Sequence, residues 1–171
     1  MNRAELQELQ GPLKERYRGD PDAALITLSA SGDLDDQQIA CRVSTGRALV
    51  EAGLHPATGG SGTLACSGDM LLEALVACAG VTLRAVATAL EIPVSGSVRA
   101  EGQLDFRGTL AVDREAPVGF RAIQLSFELD TGDATDEQLA TLMRLTERYC
   151  VVYQTLTGGV PVAVSMTGAS A

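Results

Sequence analysis

Apolar residues recur along this chain in two periods, every second position and every third or fourth, and the switches between them mark out its elements. Leu6, Leu9, Leu13 and Tyr17 fall at helical spacing before the breaker Gly19-Asp20-Pro21-Asp22, which predicts a short helix over 3–18 with one apolar face. Ile26, Leu28 and Ala30 then alternate with Thr27, Ser29 and Ser31, and after Gly32-Asp33 a second run puts Ile39, Cys41 and Val43 on one face. The two runs predict a hairpin that turns at Gly32-Asp33, with Cys41 facing the core. Arg47 to Ala52 offers a third strand of ambiguous alternation.

Residues 53–68 contain Gly53, Gly59, Gly60, Gly62, Gly68 and Pro56, and predict a long irregular loop of the kind often tied to function. Helical content returns from Asp69 to Glu91. At 100° per residue Asp69, Glu73, Arg84 and Glu91 share one stripe, and Leu71, Leu75, Cys78, Thr82 and Val86 the other, so Cys78 is expected to be buried or at a packed interface. After Pro93 the period falls to two, with Val94, Val98, Ala100, Leu104 and Phe106 inward and Ser95, Ser97, Arg99, Glu101, Gln103 and Asp105 outward. Gly96 and Gly102 sit on the inward register, where a bulge or a close approach is expected. Ile123, Leu125, Phe127 and Leu129 repeat the alternation.

Thr135-x-x-Gln138 is a capping box opening a second long helix, which Gly158-Gly159 ends; Leu139, Leu142, Met143, Thr146, Cys150 and Tyr153 share its inner stripe. Val160 to Met166 reads as a closing strand. The sum is an α+β fold, an antiparallel sheet packed on two long helices, in a single domain over 1–171 with 1–23 as a helical extension and 24–166 as the core. Both long helices are apolar over more than one face, and one sheet would leave part of them bare, which favours a dimer.

Composition narrows the function. The chain is long enough to bury roughly 70% of its unfolded surface in one core. Its charge is −9, with 22 acidic against 13 basic residues and Lys14 the sole lysine, so no basic stripe is available for nucleic acid or an anionic membrane. The N-terminal segment lacks the pattern of a signal peptide, and the longest uncharged apolar run, Ala74 to Leu83, falls short of the ~20 residues that span a bilayer. A cytoplasmic protein with no membrane segment is expected. Cys41, Cys66, Cys78 and Cys150 form no CxxC pair, and with the single His55 they make no zinc pattern, so no metal or cofactor is expected. Gly68-Asp69-Met70 also lacks the Gly-Lys-Ser/Thr of a phosphate loop.

In a reducing cytosol four cysteines point to free or redox-cycling thiols. Burial alone accounts for Cys41, and exposure alone would make Cys66 reactive. His55, beside a proline in a glycine-rich loop, reads as solvent-exposed and has no third group to complete a hydrolase with Cys66. Cys78 and Cys150 differ from the others. Each lies on the inner stripe of its own long helix, where helix pairing could bring the sulfurs within the Cα separation of about 4.4 to 6.8 Å that a disulfide needs.

Gly68-Asp-Met-Leu-Leu-Glu-Ala-Leu-Val-Ala-Cys78 resembles the Pro-Glu-x-Leu-Leu-x-Ala-Ala-x-x-x-Cys helix of the OsmC/Ohr family, the osmotically inducible and organic-hydroperoxide-resistance proteins. Gly119-Phe-Arg-Ala-Ile and Glu147-Arg-Tyr-Cys150-Val-Val resemble its Gly-Phe-x-x-Ile strand and its second-cysteine motif, usually Cys-Pro-Val. The resemblance spans roughly 24–166. It implies an intertwined homodimer with active sites at the subunit interface, and a thiol-dependent peroxidase acting on organic hydroperoxides in the response to oxidative stress. Cys78 would attack, Cys150 would resolve, and the reductant would be an external, lipoyl-type dithiol.

The chain departs from that pattern at three points. Gly68 stands at the family's glutamate position, and Asp69, the nearest carboxylate, lies roughly 14 Å along the helix from Cys78. No arginine lies between Arg47 and Arg84, which leaves Arg42, Arg47 or one from a partner subunit for the family's thiolate-stabilising role. Val151 replaces the proline. A thiol buried among leucines and valines with no cation beside it is expected to have a raised pKa. The rival expectation is therefore a dimer of the same fold that binds an apolar small molecule at its interface without catalysis.

Overall fold

The structure, a computed structural model, describes residues 2–20, 23, 25, 31–34, 40–44 and 49–166. The predicted strand at Ile26, Leu28 and Ala30 and the facing of Cys41 lie outside the described residues. Helix α1 (Arg3–Gly19) opens on a capping box: the Asn2 side chain accepts from the Glu5 N–H and the Glu5 carboxylate accepts from the Asn2 N–H, both at 2.9 Å. A 2.8 Å ion pair between Arg3 and Glu91 ties it to the end of the next helix.

Strands β1 (Ser31–Leu34), β2 (Ala40–Ser44) and β3 (Leu49–Gly53) run antiparallel, with Gly32 opposite Val43 and Leu34 opposite Cys41. The hairpin is present but its turn is not at Gly32-Asp33. Those residues pair within the ladder, and the connection falls between Leu34 and Ala40. The glycine-rich segment makes a 3-10 turn at Pro56–Thr58 and returns as β4 (Ala65–Cys66), parallel to β3 with Gly53 opposite Cys66. Cys66 is therefore half-buried in a ladder and not in an open loop.

Helix α2 (Ser67–Leu90) buries Leu75, Ala79, Leu83 and Ala87, a stripe at four-residue spacing. Cys78, Thr82 and Val86 flank that stripe half-buried, while Leu71 is exposed, contrary to its expected inward place. With 24 residues α2 is long and apolar enough to cross a membrane by length and composition, more than its uncharged run alone indicated. Here it packs on β5, α4 and α5. It ends at Glu91, in the left-handed conformation (φ 59°), whose N–H bonds the Ala87 and Thr88 carbonyls.

Strands β5 (Ser95–Gln103) and β6 (Ala122–Asp130) form their own antiparallel pair, so the strands divide into two sheets. The alternation of β5 is as expected from Val98 to Gly102, but Gly96 is exposed and the strand stops before Leu104 and Phe106. Asp105 ends it by accepting from the Arg107 N–H at 3.2 Å, capping the single turn α3 (Phe106–Thr109). Gly102 does mark a close approach: a Cβ there would lie 2.3 Å from a carbon of the Phe120 ring.

Helix α4 (Asp136–Tyr149) starts at the expected capping box, with the Thr135 N–H donating to Gln138 Oε1 at 2.8 Å. It does not run on to Gly158. The chain turns extended at Cys150 (φ −74°, ψ 107°) and restarts as α5 (Val151–Gly158). Residues 160–166 form no strand. Val162, Val164 and Met166 are exposed and pair with no strand among the described residues, and Pro161 has no N–H to give a ladder.

Two clusters make the core. Leu83, Ala87, Ile92 and Leu142 form one, and Leu75, Ala79 and Cys150 the other.

Candidate active site

Cys78 lies halfway along α2 and Cys150 lies in the break between α4 and α5. The second core cluster brings them together: Cys150 is 1% exposed, and Cys78, Val98, Ala100, Ile123, Leu125, Phe127, Val152 and Tyr153 pack around it, Leu75 and Ala79. The break has a chemical consequence. A helix restarting at Val151 presents its first N–H groups without partners inside the helix, and no side chain caps them. Those of Val151 and Val152 bear on the Cys78 sulfur, along with the Cys150 thiol and the Thr82 hydroxyl.

These contacts reverse the ionisation expected from burial. Burial pushes the Cys78 thiol up, but the N–H of Val152, the Cys150 thiol, the N–H of Val151 and the Thr82 hydroxyl outweigh it, so Cys78 lies below the ordinary thiol value. For Cys150 burial is the largest influence and raises the thiol. The Tyr153 N–H opposes it, whereas the hydrogen bond to Cys78 and the charge there raise it further. The two shifts run in opposite directions and make Cys78 the more acidic thiol of the pair. Both are free thiols.

The groups that bear most on Cys78 are uncharged. Asp69 sits in the first turn of α2, and the missing side chain of Gly68 would point at Phe120, Leu104 and the Cys66 sulfur, the last two at 3.6 Å, not towards Cys78. The Arg42 side chain and Arg47 lie outside the described residues. Glu73 and Arg84 remain separate charges, with Arg84 donating to the Val94 carbonyl at 2.6 Å. Among the described residues no group of three His, Cys, Asp or Glu is placed to hold a metal.

Two cavities lie along α2, neither lined by Cys78 or Cys150. An apolar chamber of about 470 Å³, lined by Leu75, Ile123, Leu125, Phe127, Met143 and Tyr153 among others, shares Leu75 and Tyr153 with the packing of Cys150. A second, of about 510 Å³ at the start of α2, is lined by His55, Cys66, Asp69, Phe106, Phe120 and Arg121 among others. His55 is half-buried and not solvent-exposed as expected: its Nδ1 accepts from the Ala57 N–H at 3.0 Å and its ring stacks on Phe106 at 4.9 Å. Helical rise puts Cys66 roughly 18 Å from Cys78, out of disulfide range within one chain.

The stripes propose the pairing of Cys78 with Cys150, but the donors were missed. One signal for them existed. Position 151 is where the resembling motif carries a proline, a residue suited to the first position of a helix, and that marks a restart after the cysteine.

Comparison with known proteins agrees with this architecture. No curated protein matches the sequence. An OsmC-like protein from Mycoplasma pneumoniae superimposes with a TM-score of 0.64 at 16% identity, over 78% of this chain and 89% of that one. An organic hydroperoxide resistance protein OsmC from Legionella pneumophila gives 0.58 at 17%, over 79% and 92%. The organic hydroperoxide resistance protein OhrB of Bacillus subtilis gives 0.52 at 18%, over 79% and 93%. At such identities these likenesses establish the fold. The family model for OsmC-like proteins matches residues 60–165, which hold both cysteines and the two helices that carry them, and the chain belongs to the OsmC-like family.

Proposed function

We propose that this protein is a thiol-dependent peroxidase that reduces organic hydroperoxides through Cys78 and Cys150. The observation behind this reading is the packing of Cys78 against Cys150 in one core cluster, with the Cys78 thiol shifted below the ordinary value and that of Cys150 above it. The Cys78 thiolate attacks the distal peroxide oxygen; the O–O bond breaks, the alcohol leaves with a proton, and Cys78 becomes a sulfenic acid. The Cys150 sulfur then displaces the hydroxyl as water and forms the disulfide. An external dithiol, of the lipoyl type, restores both thiols by exchange and is itself oxidised to a disulfide.

The apolar chamber beside Cys150 suits the organic part of such a substrate. Structural neighbours described as organic hydroperoxide resistance proteins support a redox role. We place the protein in the cytoplasm as a homodimer, with no nucleic acid or membrane partner. Val81, exposed midway along α2, and the unpaired Val160–Met166 segment are surfaces a second copy would cover. The alternative reading, a non-catalytic dimer holding an apolar small molecule, draws on the same chamber and on Gly68 at the family's carboxylate position.

Steady-state consumption of cumene hydroperoxide, with dihydrolipoamide as reductant, separates the two. The peroxidase reading predicts turnover that Cys78→Ser abolishes and that far exceeds turnover of hydrogen peroxide. Binding without turnover would leave the non-catalytic reading.

A further inference from the structure

The apolar chamber and the cavity at the start of α2 follow one another along the groove between α2 and the β5–β6 pair. On the helix, Leu72 lines the second and Leu75 the first, three residues and roughly 4.5 Å of rise apart on one face. On the sheet, Gly102 lines the second and Ile123 the first, and these two residues are directly opposite in the ladder. Phe120 lines both. It is also a wall of a third recess, of about 380 Å³, beside Leu54, Leu71 and Val118, so one half-buried ring bounds each of these spaces.

The backbone around it leaves room for that ring and fixes its place. A Cβ at Gly102 would lie 2.3 Å from one ring carbon, and one at Gly68 would lie 3.4 Å from the ring's tip, so Phe120 fills space that two residues without side chains leave open. The Arg121 N–H donates to the Gln103 carbonyl at 2.8 Å and Ala122 pairs with Gln103, which ties the chain carrying the ring to the end of β5. The ring also marks a change of chemistry. Towards the start of α2 the wall includes His55, Asp69 and Arg121, whereas on the other side Leu75, Ile123 and Phe127 are apolar.

We infer that the Phe120 ring closes the apolar chamber on the side facing the start of α2, and so sets the length of the organic group that the site accepts. The inference rests on that chamber holding the organic part of the proposed hydroperoxide substrate. A straight alkyl chain binds about fourfold tighter for each methylene it buries, until its end meets the ring. Carbons beyond that point stay in water and add nothing. With alanine at 120 the chamber opens into its neighbour, and the gain continues over several more carbons.

The test is calorimetric titration of the reduced, full-length protein with uncharged 1-alkanols from 1-butanol to 1-dodecanol. These are the class of product that an alkyl hydroperoxide leaves, and they avoid repulsion from Glu147 in the chamber wall. In the wild type the affinity should rise with length and then level off. In Phe120→Ala the levelling should move to longer chains, and in Phe120→Leu it should move less far. Phe106→Ala should leave it where it is, since Phe106 lines the cavity at the start of α2 and not the chamber.

A Phe120→Ala protein with native circular dichroism and an unmoved limit overturns the inference, as does a wild type that shows no limit or a Phe106→Ala protein whose limit moves equally far. If Phe120→Ala does not fold, an unmoved limit in Phe120→Leu overturns it. Alkanol binding involves no peroxide, so a limit that moves as expected in a protein that turns over no hydroperoxide would refute the peroxidase reading and leave the role of Phe120 standing. Turnover of alkyl hydroperoxides with the same length dependence in wild type and Phe120→Ala would do the reverse.

Discussion

Replacing Leu75 with alanine, compared with the same change at Leu142, separates packing that serves the thiols from packing that only holds the fold. Both leucines are core residues, 2% and 0% exposed, and they belong to different clusters: Leu75 clusters with Ala79 and Cys150, whereas Leu142 packs with Leu83, Ala87 and Ile92. Truncating either leaves a cavity, and buried Leu→Ala changes cost roughly 3 kcal/mol or more. For a chain of this length that lowers Tm by roughly 6 to 12 °C in either variant. The consequences for chemistry differ. Leu75 lies three residues before Cys78 on α2 and fills space against Cys150, so its loss loosens the contact between the sulfurs. Thermal unfolding followed by circular dichroism measures the first effect, and stopped-flow loss of free thiols after addition of cumene hydroperoxide at 20 °C measures the second. Leu75→Ala should slow disulfide formation several-fold while Leu142→Ala leaves it near wild type. Equal slowing in both variants, or none in Leu75→Ala, would refute the claim that the second cluster is what holds the sulfurs together.

Three further outcomes are expected. Gly96→Ala should lower Tm strongly, since Gly96 adopts φ +129° and a Cβ there would fall 2.0 Å from the Glu128 carbonyl oxygen; thermal melts check this. Asp105 should titrate at about 2, held down first by the hydrogen bond from Arg107: its contribution to stability is present above the ordinary carboxylate value and is lost as pH falls through about 2, and carboxyl NMR of wild type and Arg107→Ala reads the midpoint. The thiols act in opposite directions. Cys150, raised by burial, favours folding below the unfolded thiol value of about 8.5, and this is lost as pH rises through its folded value; Cys78, lowered, contributes above about 8.5 and loses its contribution as pH falls through its folded value. Urea unfolding at pH 7 and pH 10 should therefore show reduced Cys150→Ala losing less stability on alkalinisation than the wild type.

Features written in nearest neighbours along the chain were legible. The Thr135-Gln138 capping box and most of the alternation of β5 follow from a few adjacent residues, whereas the buried stripe of α2 runs through Leu75, Ala79, Leu83 and Ala87 and shares only Leu75 with the expected one; the sequence could propose Cys78 beside Cys150 but not establish it. Features decided by distant pairing were not. The β1–β2 turn moved past Gly32-Asp33 because register is set by the whole ladder, and Val160–Met166 alternates like a strand yet pairs with no strand among the described residues. The break at Cys150 falls inside a helical run of apolar residues, where periodicity alone gives no reason to stop. The ionisation of Cys78 was the least legible feature, and for a definite reason. Its strongest donors include main-chain N–H groups, which nearly every residue carries, so a search for an arginine or lysine had nothing to find.

The central claim is that Cys78 and Cys150 form one redox pair, and disulfide mapping by mass spectrometry after one equivalent of cumene hydroperoxide is added to the reduced protein tests it most directly. The account predicts a single Cys78–Cys150 disulfide, with Cys150→Ser trapping a sulfenic acid on Cys78. Oxidation centred on Cys66, or two thiols that oxidise slowly and without preference, would contradict it.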